Sequence, residues 1–426
     1  MQAHRTAIAI AIALGAAIGW QLSASFPAAS AEAPKLQSHE ALSEAFASVA
    51  AQEVSVEVTD SVAGPAWDPL GLIARPPGVV HSIGTDVWEV WVCDVPEGGA
   101  TPTVEGAVRV LETELVPYFD WLSGGRYTPQ FVSGGMATEA AGDDLFPCRE
   151  SILQSTSGLA DGVMVITDHA NIPPAFARPS DLCGSECSSA QTFPENARAI
   201  VVGAHAVLPE SPNFEPSRAA HEIGHAIGWP HSFVGRSEQA SEYDNPLDVM
   251  SGNLYRKGAP RDRPQGTPAV NAYAAGWLNP SQVVVQTSGT AHHRLEPIGH
   301  AGTRLVAVPG DNEGTFVAID ARVSAGFDEG IRVEGVTLHF IDQRPDACDY
   351  PVLGGCYNHR RRTIPLVFDG VPSAYDHVVA LGESAEGPGF RLSVIEREGD
   401  VFHIVLEVTE EPPFAVATPG PGPAPK

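Results

Sequence analysis

The chain has 426 residues and a formal charge of −27, from 25 Lys and Arg against 52 Asp and Glu. Hydrophobic residues make up 43% and charged residues 18%, enough apolar material to fill a core, so wholesale disorder is excluded. The acidic balance argues against nucleic acid as a partner, where affinity rests on Lys and Arg at phosphates, and against docking on an anionic membrane surface.

At the N-terminus, Arg5 precedes an uncharged apolar run, Thr6–Gly19, and Ala29-Ser30-Ala31 follows. This is the layout of a secretory signal over residues 1–31, cleaved after Ala31, with Ala33 as the neighbouring alternative. An uncleaved anchor is the other reading, but the run is shorter than the roughly 20 residues a bilayer span needs. A secreted, extracellular chain meets an oxidising compartment. Its six cysteines, Cys93, Cys148, Cys183, Cys187, Cys348 and Cys356, then read as three disulfides. Local loops suggest Cys183–Cys187 and Cys348–Cys356, leaving Cys93–Cys148. A thiolate metal site is disfavoured, because no pair has CxxC spacing.

Residues 32–81 are weakly patterned. Ser38–Gln52 has the spacing of an amphipathic helix, and Gly64–Gly78 is a Pro/Gly-rich linker. This stretch is either a pro-segment or a plain N-terminal extension. From there the signals sharpen. Val87–Val95 is rich in β-branched and aromatic residues and predicts a strand. Val104–Leu122 carries apolar residues at helical spacing, with Pro117 expected to kink or end the helix. Thr128–Val132, Gly162–Thr167 and Ala197–Leu208 are further strands, the last interrupted by Gly203. Glu215–Gly228 is a helix with Pro216 in its first turn and Gly228 and Pro230 ending it. Together these predict an α/β or α+β unit over 82–282.

Beyond it, Val283–Gln286, Arg304–Val308, Thr315–Ile319, Val336–Ile341, Phe390–Glu396 and Val401–Val408 read as strands, with no convincing helix. They predict an all-β domain over 283–410, a sandwich. Residues 411–426 form a Pro/Gly/Ala tail unable to bury a core.

The informative stretch is His221-Glu222-Ile223-Gly224-His225-Ala226-Ile227-Gly228-Trp229-Pro230-His231. On a helix, His221 and His225 share one face and can reach one metal ion. Glu222 follows the first ligand and can reach a water on that metal. Gly228 lets the chain leave the helix through a left-handed turn, and His231 returns as a third nitrogen ligand. Three neutral imidazoles with one position left open make a catalytic Zn2+ site rather than a closed structural one. Glu222 is then placed to act as a general base toward that water.

This pattern resembles the metzincin metallopeptidases, whose signature is H-E-x-x-H-x-x-G-x-x-H followed by a methionine turn. Leu247-Asp248-Val249-Met250-Ser251-Gly252 is similar to that turn, and the resemblance implies that Met250 lies beneath the metal as a hydrophobic floor. Ala274-Ala275-Gly276-Trp277-Leu278, Gly314–Arg322 and Gly382-Glu383-Ser384 are loosely similar to the gametolysin and immune inhibitor A groups. Matrix-type members silence the metal with a pro-segment cysteine. Residues 32–92 contain none, so an inhibitory segment would have to use another ligand, such as Asp60 or Asp68. Astacin-like and serralysin-like members place a tyrosine two residues after the methionine. Here position 252 is Gly, and Tyr255 is the nearest candidate oxyanion partner. The resemblance also implies that substrate adds to a sheet edge beside the active helix, with Ala197–Leu208 as that edge.

Acidic loops at Asp311–Glu313, Asp328-Glu329 and Asp244–Asp248 offer oxygen ligands for Ca2+, although none has EF-hand spacing. The expected partner is a protein or peptide substrate, with no nucleic acid, no membrane after signal cleavage, and a monomeric chain. The alternative is a secreted binding or adhesion protein with a metzincin-like but inert metal site.

Overall fold

The strand expected at Val87–Val95 lies inside the first sheet, next to its edge strand. β1 (Gly84–Asp94) pairs in parallel with β2 (Tyr127–Thr138) and β3 (Gly162–Thr167). β4 (Phe176–Arg178) and β5 (Arg198–Gly203) complete the order β2-β1-β3-β5-β4, with β4 alone antiparallel. Alternation along β1 sends Trp88, Val90 and Val92 to the face that carries the two helices. The computed structural model describes residues 72, 82–94, 102–138, 151, 152, 155, 160–167, 176–178, 198–203, 216–232, 245–251, 263–310, 312, 314–344, 351, 352, 355, 356, 362–366, 377–387 and 389–409. All of them fall in one unit, Asp60–Lys426. The signal segment, Ser38–Gln52, Asp60, Asp68, Tyr255 and the Pro/Gly/Ala tail lie outside the described residues.

α1 (Val104–Ser123) is capped at its start by Thr103, whose Oγ1 accepts from the Gly106 N–H at 3.0 Å, and closes on left-handed Gly124. Leu111, Leu115, Phe119 and Leu122 form its buried stripe. Pro117, expected to kink or end this helix, does not end it. It sits on the exposed face, where water can satisfy the Thr113 carbonyl that loses its donor. α2 (Pro216–Ala226) packs against β4 and β5, with Ala219, Ala220 and Ile223 in the same core. A short helix the sequence did not signal, α3 (Ala269–Ala274), follows.

The remaining strands are β6 (Val283–Val285), β7 (Gly289–Leu295), β8 (Leu305–Pro309), β9 (Thr315–Arg322), β10 (Gly335–Asp342), β11 (Pro351–Val352), β12 (Gly355–Cys356), β13 (Arg362–Pro365), β14 (Val378–Val379), β15 (Ser384–Gly387), β16 (Phe390–Glu398) and β17 (Val401–Val408). They form a second sheet, β13-β10-β9-β8-β6 with β14 also on β10, a third, β15-β16-β17-β7, and the small hairpin β11–β12.

The second sheet is a wall between two cores. Val317, Ile319, Val336, Leu338 and Phe340 face the third sheet and pack with Leu392, Phe402, Ile404 and Leu406. Phe316, Ala318 and Ile341 face the other way and join the core of α1, α2, Met250 and Trp277. Every residue of β9 and β10 is buried as a result. The chain is thus a mixed α/β molecule dominated by sheets, and its first core continues across position 282/283. Cys93 is buried on β1 and disulfide-bonded. The other five cysteine side chains lie outside the described residues, so the expected pairing does too. Among the described residues no helix is long and apolar enough to cross a membrane.

Candidate metal centre

His221 and His225 stand on one face of α2, four residues apart. The helix then closes: the Gly228 N–H donates to the His225 carbonyl at 3.0 Å and the Trp229 N–H to the Gly224 carbonyl at 2.9 Å. Gly228 has φ +95°, a conformation that favours glycine. The reversal carries His231 back over the helix. Its Nε2 lies 3.2 Å from Nε2 of His221 and 2.9 Å from Nε2 of His225. For nitrogens ~2.0–2.1 Å from a tetrahedral zinc, neighbouring ligand atoms are about 3.3 Å apart. Two of the separations are thus near what one ion requires, and all three ligand nitrogens lie within 4.8 Å of one another.

Their orientation is fixed from outside. Nδ1 of His221 is 2.8 Å from the Val249 carbonyl, and Nδ1 of His225 is 2.9 Å from the Trp229 carbonyl. A carbonyl can only accept, so each Nδ1 carries the proton and each Nε2 presents a lone pair inward. Lone pairs converging at these distances repel unless a cation lies among them, and an all-imidazole set suits zinc. Among the described residues, this is the only group of His, Cys, Asp and Glu placed to hold a metal.

All three histidines and Glu222 are buried. Burial holds the His221 imidazole down at about 4, partly opposed by its bond to Val249, with Arg218 lowering it further. The ring is thus neutral near pH 7 and able to ligate. Burial also pushes the Glu222 carboxyl well above the usual carboxylate range, and Arg218 only partly offsets this. Oε2 of Glu222 has no hydrogen-bond partner in the protein. A buried carboxyl with one unpaired oxygen, on the residue after His221, is suited to a proton it does not permanently hold.

Met250 is fully buried beneath α2. A Cβ at Gly224 would lie 2.4 Å from its Sδ, so the helix rests on the methionine only because position 224 has no side chain. The loop around it is tied by its own side chains: Asn245 Oδ1 accepts the Leu247 N–H at 3.1 Å, and Asp248 Oδ1 accepts the Met250 N–H at 3.0 Å.

Two sequence expectations need correction. The segment Ala197–Leu208 is expected to be the sheet edge, but β5 is paired on both sides, and among the described residues the edge beside α2 is β4. β4 is three residues long and carries no strong strand pattern. Asp328, offered as a calcium ligand, gives both oxygens to Arg322, at 2.9 and 2.8 Å. Nothing in the sequence marked the Val249 and Trp229 carbonyls that orient the ligands. Backbone groups leave no residue-type signature.

No family model matches the chain, and no curated protein does. Among solved structures it is similar to metalloproteinase-II from Bacteroides fragilis, at 14% identity and TM-score 0.25, over 46% of this chain and 53% of that one. It is also similar to a chain in the structure of a chaperone–substrate complex, at 13% identity and TM-score 0.23, over 45% of this chain and 33% of that one. The chain thus spans about half the length of the first and a third of the second. Likenesses this distant carry no functional argument.

Proposed function

We propose that the chain is a secreted, disulfide-stabilised zinc endopeptidase of metzincin type. The observation that carries this reading is the convergence of three Nε2 atoms, two with Nδ1 fixed on carbonyls, with a buried carboxyl that leaves Oε2 unpaired on the residue after His221. His221, His225 and His231 hold the ion. When bound, zinc supplies Lewis acidity toward a water and a carbonyl oxygen.

The chain's own residues do the rest. Glu222 takes the proton of the attacking water as general base. It then returns the proton to the leaving amine. Met250 and Gly224 hold the helix at a fixed height, so the rings do not drift. An extended peptide pairs with the outer edge of β4, which offers backbone donors and acceptors beside α2.

The test is hydrolysis of casein. Wild type cleaves it, and a zinc chelator stops cleavage. Glu222→Ala keeps its metal and loses about 10²–10⁴-fold in turnover, the usual contribution of a general base. Turnover unchanged in that variant ends the mechanism. A metal-loaded wild type that cleaves nothing leaves a binding protein with an inert site.

A further inference from the structure

We propose that Arg322 and Asp328 are positioning residues for the metal centre, acting from the second sheet through the loop 245–251. The proposal rests on the metal-site reading above. Alternation along β9 turns Asp320 and Arg322 away from the apolar core shared with the third sheet. Arg322 is almost wholly buried, a costly place for a guanidinium unless it is fully paired. Its Nε donates to Asp328 Oδ2 at 2.9 Å and its Nη2 to Asp328 Oδ1 at 2.8 Å. Its Nη1 donates to the Leu247 carbonyl.

Asp328 extends the same grip. Its Oδ1 accepts the Gly266 N–H at 2.8 Å, and the Gly266 carbonyl accepts the Val249 N–H at 2.9 Å. Val249 is the residue whose carbonyl takes the Nδ1 proton of His221. One ion pair therefore holds the peptide two residues before Val249 and, through Gly266, the amide of Val249 itself. Position 266 has no room for more: a Cβ there would lie 2.4 Å from Ile298 Cδ1 and 2.9 Å from Arg322 Nη2. Asp320 adds a further tie, accepting the Ala269 N–H at 2.7 Å. A guanidinium fork locked on a carboxylate has a fixed angle, which an apolar contact would not impose. The β half of the molecule thereby sets the tilt of a metal-binding imidazole.

The experiment uses the full-length apo chain titrated with cobalt(II), followed by the metal's visible absorption. Arg322→Lys and Asp328→Asn are compared with Leu392→Ala, a destabilising change in the other core. Both positioning variants are expected to bind cobalt 10–100-fold more weakly, the usual effect of losing an outer-shell partner, with a shifted spectrum. Leu392→Ala is expected to melt earlier yet keep affinity and spectrum. Should neither single variant fold, Arg322→Met/Asp328→Leu removes both charges together and is read the same way. Folded variants with wild-type affinity and spectrum overturn the proposal, as does Leu392→Ala changing both to the same extent. A wild type that takes up no cobalt overturns the metal-site reading and this proposal together. A wild type that binds cobalt, weakened in the variants, without peptidase activity of its zinc form, upholds the positioning and removes only the peptidase.

Discussion

His339 shows how a single buried side chain links the two halves of the molecule. It projects from β10, and its Nε2 accepts the Asn245 Nδ2–H at 3.2 Å, at the start of the loop beneath the metal centre. Burial drives its pKa well below the ordinary histidine value, with His377, at a ring separation of 5.3 Å, and Arg322 adding to the effect. The folded protein therefore binds this proton less readily than the unfolded chain does. The stability gained from keeping the ring neutral is complete above about pH 6.5 and is lost as pH falls toward the depressed value. Wild type should melt at lower temperature at pH 5 than at pH 7, and His339→Gln should remove part of that slope. Melting curves of the two proteins across this range check it. An identical slope would mean that His339 titrates as it does in the unfolded chain.

At the scale of elements, what was legible in the sequence was whatever repeats along the chain. β1, β3, β8, β16 and β17 fall close to their predicted spans, because β-branched and aromatic runs bounded by turns leave a local trace. α2 was legible from Pro216 at one end and Gly228 at the other. β7 was not: as an edge strand with Thr290, His292 and Arg294 exposed, it has little apolar signal. β9 and β10 read as apolar runs because both their faces are covered. The metal ligands were legible because spacing alone puts them together. The residues that orient them were not, since Arg322 is 91 positions beyond His231 and acts through backbone atoms. Pro117, which does not end α1, offers a clear element-scale test. Alanine there restores an N–H for the Thr113 carbonyl, and should stabilise α1 by about 1–2 kcal/mol after the looser unfolded chain is offset. Urea unfolding should show a higher midpoint for Pro117→Ala. A lower one would mean that the ring itself packs usefully.

The described part of the molecule is organised around the second sheet, which closes the core beneath the three histidines with one face and the β core with the other. The first core therefore runs on across position 282/283 into the β-rich part of the chain. On the face turned toward that core, Arg322 and His339 reach the loop 245–251 and Asp320 holds the start of α3, while the opposite face is mostly apolar. All of this serves one claim, that three imidazoles on a closed helix and its return bind a single zinc ion. The direct measurement is the metal content of purified full-length protein by mass spectrometry, for wild type and for His225→Ala. One zinc per wild-type chain, and almost none in a folded His225→Ala, is the predicted result. A wild type without zinc, or a variant that retains it, would contradict the account.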